Sequence, residues 1–151
     1  MNILTDPAPK TVTIGGAEVP INSDFRASVR FEMMMEDSSL SELDKTVKAL
    51  SLYYNTGDLK NSFKPPAPIE EAIDKKLWFY RAGKEENGAV SAGKGTQIYS
   101  YSYDDEYIFA AFLEQYGVDL QDIPYLHWWK FKAMFLSLIH ISEPTRPISI
   151  S

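Results

Sequence analysis

The sequence predicts a mainly α, small helical domain of about five helices with a short N-terminal β-hairpin. Three observations do so. Apolar residues recur at helical spacing in successive segments; Ser, Asp or Pro stands where those segments begin; and one Gly-Gly pair separates two β-branched runs. At 151 residues the chain is long enough for one domain that buries about two-thirds of its unfolded surface without disulfides.

The hairpin is TVTIGGAEVPI, Thr11 to Ile21, turning at Gly15-Gly16. Pro20 cannot donate to a ladder, so the second strand lies at an edge or ends there. Asn22, Ser23 and Asp24 then supply capping side chains for DFRASVRFEMMMED, in which Phe25, Val29 and Met33 share a face. In SSLSELDKTVKALSLYY, Ser39 and Glu42 have the spacing of a capping box, and Leu40, Leu43, Val47, Leu50 and Tyr54 make a stripe. This second helix is expected to stop near Asn55-Thr56-Gly57. Pro68 suits the first turn of IEEAIDKKLWFYRAG, where Ile69, Ile73, Leu77 and Tyr80 form the expected buried stripe and Gly83 the stop.

Lys84 to Gln97 has charge and glycine but no periodicity, which reads as a mobile surface loop. TQIYSYSY is either a short strand or an extended lead-in. Ser102 can cap DDEYIFAAFLEQYG, whose Asp104, Asp105 and Glu106 complement the positive end of the helix, and Gly117 ends it. A last helix is expected from near Pro124 to about Leu138.

Composition narrows the chemistry. There is no cysteine, which removes thiolate catalysis, Cys-based zinc sites and disulfides. A net charge of −6 argues against general nucleic-acid binding, because that depends on Lys and Arg neutralising phosphates. Proteins are the expected partners. MNILTDPAPK lacks a basic stretch followed by an apolar core, so no signal peptide is expected.

Three motifs carry possible chemistry. GAVSAGKGT, Gly88 to Thr96, spaces Gly88, Gly93 and Lys94 like a phosphate-binding loop. It has Gly95 where Ser or Thr must hold magnesium, and it lacks the flanking strand and helix, so a connector is expected. The acids at 104 to 106 diverge on a helix and are expected to be solvated, with no metal site. LHWWKFK, Leu126 to Lys132, offers a nucleic-acid platform, a general base in His127, or a packing face. No nucleophile motif accompanies His127, and a helix apolar nearly all round belongs in a core or an interface. Trp128, Phe131 and Phe135 are assigned inward, and Trp129 with Leu136 toward a partner or the missing C-terminal helices. These five are the candidate protein-interaction or core residues; no catalytic, cofactor or metal residue is assigned.

The combination INSDFR, LWFYRAGK and YSYDDEYIFAAFLEQYGVDLQDIPYLHWWKFKAMF resembles the bacteriophage gene-product-fifteen family of long-tailed phages and prophages, over about Ile21 to Leu136. That resemblance implies a tail assembly chaperone. Such a factor has no enzymatic activity and no cofactor, binds tape measure protein and tail-tube subunits, and can self-associate. It acts in the cytoplasm of the infected or lysogenic host and leaves before the virion is complete. The alternatives are a structural tail or head-to-tail completion protein kept in the virion, and a nucleic-acid-binding regulator. LIHISEPTRPISIS departs from the family pattern: Pro144 and Pro147 forbid a helix, and the segment resembles a translated sequencing adapter. The expected domain is therefore 1–137, with 138–151 a non-native tail and the native C-terminal helices missing.

Overall fold

The computed structural model describes residues 2–55, 64–84 and 99–141. Strands β1 (Thr11–Ile14) and β2 (Ala17–Pro20) pair antiparallel, with Ile14 opposite Ala17 and Thr11 opposite Pro20. The two-residue turn needs positive φ at both glycines, which have φ of 62° and 80°. Gly15 is required twice, since a Cβ there would sit 2.7 Å from the Ala67 carbonyl oxygen.

Among the described residues five helices follow: α1 (Phe25–Met35), α2 (Glu42–Tyr54), α3 (Ile69–Tyr80), α4 (Asp105–Tyr116) and α5 (Trp128–Ile141). The mainly helical fold with an N-terminal hairpin is as the sequence predicts. One aromatic core joins them, with Phe131 of α5 at its centre. Its ring stacks on Phe25 and on Phe112, each at 4.9 Å between centroids, and also meets Trp128, Tyr101 and Phe135. Tyrosine hydroxyls latch neighbouring helices where their rings enter the core. Tyr54 donates to the Ala72 carbonyl at 2.6 Å, Tyr80 to Glu32 Oε2 at 2.7 Å, and Tyr116 to the Met134 carbonyl at 2.9 Å. Tyr53 and Ser28, both fully buried, share a hydroxyl bond of 2.6 Å. A buried hydroxyl without a partner would cost about 1–3 kcal/mol, so these latches fix which helices can neighbour one another.

Several local expectations change. Ser41, not Ser39, caps α2: its Oγ accepts from the Asp44 N–H at 3.1 Å, while Ser39 is held by Asp37 Oδ1 at 2.6 Å. Of the α2 stripe, Leu50 and Tyr54 are buried, but Leu43 and Val47 are 72% and 53% exposed. Its buried residues, Ala49, Leu50, Tyr53 and Tyr54, all lie in the C-terminal half, so among the described residues the core covers only part of an amphipathic helix. In α3 the buried residues are Ala72, Lys76 and Phe79, while Ile73, Leu77 and Tyr80 are half-buried and Ile69 is exposed. This helix is packed by β1 on one side and α2 on another, which broadens and turns its inner face. Pro68 occupies the cap position rather than the first turn.

Residues 99–103 are irregular and turn rather than strand, and α4 begins at Asp105 with no side-chain cap from Ser102. Gly117 ends it at φ 67°, its N–H and that of Val118 returning to the Leu113 and Phe112 carbonyls. The last helix starts at Trp128, not near Pro124. Leu138 is buried and α5 continues to Ile141, across the expected boundary at 137. The phosphate-loop-like segment 88–96, most of the 84–97 loop, residues 56 and 57, the start of TQIYSYSY, and 142–151 lie outside the described residues.

Candidate functional site

LHWWKFK begins where two distant segments meet. The chain from Ile21 to Arg26 runs beside Leu120 to Trp128 and is tied to it by backbone and side-chain bonds. The Phe25 N–H donates to the Leu126 carbonyl and the Trp128 N–H to the Ser23 carbonyl, each at 2.8 Å. Asp24 Oδ1 accepts from the Leu126 N–H at 3.1 Å, and Oδ2 from the Arg26 N–H at 3.2 Å, capping α1. The Arg26 guanidinium pairs with Asp24 at 3.0 Å and donates to the carbonyls of Leu120 and Ile123. Ser23 shares a hydroxyl bond of 2.6 Å with Tyr125. Asn22, one residue earlier, closes the end of α2 through bonds to the Tyr53 and Leu52 carbonyls.

His127 caps α5. Its Nδ1 accepts from the Trp129 N–H at 3.0 Å, and its carbonyl accepts the first helical bonds, from Lys130 and Phe131. With Nδ1 an acceptor, Nε2 carries the proton and donates to the Pro9 carbonyl at 2.7 Å. Burial holds this imidazole below its ordinary pKa, which suits the neutral ring both bonds require. Neither nitrogen is available for proton transfer unless the joint opens.

The two indoles extend the same joint to α3. Trp128 Nε1 donates to the Tyr80 carbonyl at 2.9 Å and Trp129 Nε1 to the Phe79 carbonyl at 2.8 Å, the latter sharing that oxygen with the Ala82 N–H, so both indoles are tied to the last turn of α3. Gly83 lets the chain turn under them, since a Cβ there would stand 3.0 Å from the Trp129 ring. Trp128, Trp129, Phe131 and Phe135 are 1%, 4%, 1% and 5% exposed, whereas Leu136 is 55% exposed. The outward assignment of Trp129 is thus corrected: the α3 carbonyl draws its indole inward. Lys130 points to solvent, and Lys132 lies 5.6 Å from the Tyr80 ring centroid.

Near this joint the helices hold ionisable groups that periodicity did not reveal. Lys76 is buried with its ammonium 4.4 Å from the Phe31 ring, and burial lowers its pKa to about 8. Burial also raises the Glu32 carboxyl and lowers the Lys132 ammonium. Lysine is ordinarily an outward residue, and only the packing of α3 beside α1 turns Lys76 in.

A different surface surrounds α4. Residues 99–126 carry six acids and no Lys or Arg, while the rest of the chain is balanced at fifteen each, so the whole net charge resides in this stretch. That bias was open to a segment-by-segment count of charge. Asp104 is engaged by the Ser100 N–H at 2.8 Å, whereas Asp105 and Glu106 are exposed. Beside them opens a cleft of about 290 Å³, floored by Phe25, Val29, Ile108, Phe109, Leu120 and Phe131. Among the described residues no group of three or more His, Asp or Glu could hold a metal ion, and no helix is long and apolar enough to cross a membrane.

The family model described as Bacteriophage Gp15 protein matches residues 4–148. Neither the curated proteins nor the solved structures contain a match to the chain. The match includes all three motif segments that build the joint, and spanning nearly the whole chain it makes this a phage protein, a member of the bacteriophage Gp15 family.

Proposed function

We propose that this protein is a phage tail assembly chaperone, a non-enzymatic factor that binds tape measure protein and assists tail-tube assembly in the cytoplasm of the bacterial host. One observation carries the protein-binding part of the reading. The residues with the most suggestive chemistry, His127, Trp128 and Trp129, spend their polar atoms on internal bonds, while ordered helices keep apolar side chains outside: Leu43 and Val47 on α2, Tyr107 and Leu113 on α4. Exposed apolar groups on stable helices suit association with another protein. Membership of a phage family supplies the setting. The concentration of acid in 99–126 disfavours a nucleic-acid regulator, because phosphate would be repelled there.

Two measurements on infected or induced cells test the reading. Co-purification of the protein with tape measure protein from lysates, together with its absence from purified particles by mass spectrometry, is the expected result. Stoichiometric recovery in mature particles would replace it with a structural tail or head-to-tail completion role.

A further inference from the structure

We infer that the cleft between α1, α4 and α5 and the acidic face beside it form the docking surface for a basic, amphipathic segment of a partner protein, with one large apolar side chain as its anchor. The inference deepens the proposed function, since it rests on the reading that this chain acts by holding another protein.

Size, lining and charge define the occupant. At about 290 Å³ the cleft falls at the low edge of the roughly 300–1,000 Å³ typical of small-molecule sites, and it suits a single Leu-, Met- or Phe-sized anchor. Its floor is aliphatic and aromatic, while its polar rim is Asp105, Glu106 and Gln121. Arg26, beside Phe25 of the floor, is already bound to Asp24 and to two carbonyls. No lysine or arginine of the described residues pairs with Asp105, Glu106, Glu114 or Asp122. Tyr103, in the turn before α4, and Tyr107, in its first turn, are 86% and 62% exposed on either side of the acidic run. An apolar slot within an uncompensated acidic surface selects an apolar anchor flanked by Lys or Arg, the helix-in-groove arrangement with charge complementarity. A second copy of this chain is a poorer fit, because outside 99–126 its acids and bases balance and it brings no net positive charge to this surface.

The probe is a synthetic 18-residue helix with Leu on one face and Lys on the other, titrated into the full chain with methyl groups observed by NMR. Expected are shifts at Val29, Ile108 and Leu120, an affinity that falls steeply with salt, at least tenfold weaker binding by the D105N/E106Q double variant, and no binding of the same helix with Glu in place of Lys. Both substituted residues are exposed, so the variant keeps the fold, with a melting temperature slightly lowered by the lost charge at the start of α4; a cooperative melt is the control. Equal binding of the Lys and Glu helices, shifts confined to α2, or undiminished binding by the double variant would overturn the inference. So would a dimer in sedimentation that the double variant dissolves, which would assign the surface to a second copy. The chaperone reading fails separately: a Lys helix that binds the cleft, with no tape measure protein recovered by the wild-type chain, leaves the surface standing and removes that partner. Recovery of tape measure protein equally by wild type and D105N/E106Q does the reverse.

Discussion

The joint at the start of α5 and the acidic face of α4 are neighbours that use aromatic residues in opposite ways. At the joint, His127, Trp128 and Trp129 are buried and every ring nitrogen has a partner. At the start of α4, Tyr103 in the preceding turn and Tyr107 in the helix stand in water beside carboxylates that no cation among the described residues balances. The residues that make the sequence recognisable are thus the ones that hold it together. A less conspicuous helix offers the surface. Dense aromatic content signals burial and alone says little about binding, whereas an unbalanced charge must be met by solvent, ions or a partner.

The largest expected effect would break this contrast at the joint. Trp128→Ala and Trp129→Ala should each destabilise the chain by about 3–5 kcal/mol, the range for truncating a buried large aromatic. Chemical denaturation checks both. A Trp129→Ala variant as stable as wild type would return that side chain to the surface and dissolve the comparison. Asp24→Ala comes next, at about 1.5–3 kcal/mol, because it removes a charged acceptor that joins α1 to the strand-like approach of α5.

His127 sharpens the comparison through pH. Its pKa is lowered by burial from 6.5, so between the folded and unfolded values the unfolded chain binds the extra proton. Stability is therefore full above pH 6.5 and is lost as pH falls from that value toward the folded pKa. Thermal melts of wild type and His127→Asn should diverge on alkaline rise through this window and run parallel above it. Asn keeps a capping acceptor, which limits the loss at neutral pH to about 1 kcal/mol. Glu32, whose pKa is raised by burial, contributes the opposite slope, stability being lost as pH rises from 4.5 toward its folded value; it is present in both chains and cancels in the difference. Identical pH profiles would mean the ring is not held neutral.

The smallest effects belong to the outer surfaces. Leu43→Ser, Val47→Ser and Leu136→Ser should each change stability by no more than about 0.5 kcal/mol, since their side chains are more than half exposed. Urea midpoints check this, and a loss above about 2 kcal/mol at any of the three would show a buried face where α2 or α5 now meets solvent.

The helices and the hairpin were legible because their signals are local. Gly15-Gly16 must turn the chain, Gly117 must end α4, and apolar spacing marks α1, α3 and α5 as helices, although the inner face of α3 is Ala72, Lys76 and Phe79 rather than the stripe that spacing picks out. The candidate site was legible only as a question. Both nitrogens of His127 answer to partners at Pro9 and Trp129, and the first of these lies 118 residues away. Sequence spacing along α2 marks Leu43 and Leu50 alike as apolar face, yet only one is covered.

The sequence by itself determined the fold class, the turn, most of the helices and an acid excess confined to 99–126, because propensity, glycine geometry and charge are properties of neighbouring residues. Only the tertiary structure decided that Trp129 is core, that Lys76 is buried, that α5 begins at Trp128, and that an apolar cleft opens beside Asp105 and Glu106. Each of those depends on what a distant segment supplies: a carbonyl at the end of α3, an aromatic face on α1, or the Ser23 carbonyl and the Asp24 carboxylate. Hydrogen bonds and close packing act between atoms a few ångströms apart, and chain order does not fix which remote atoms arrive there.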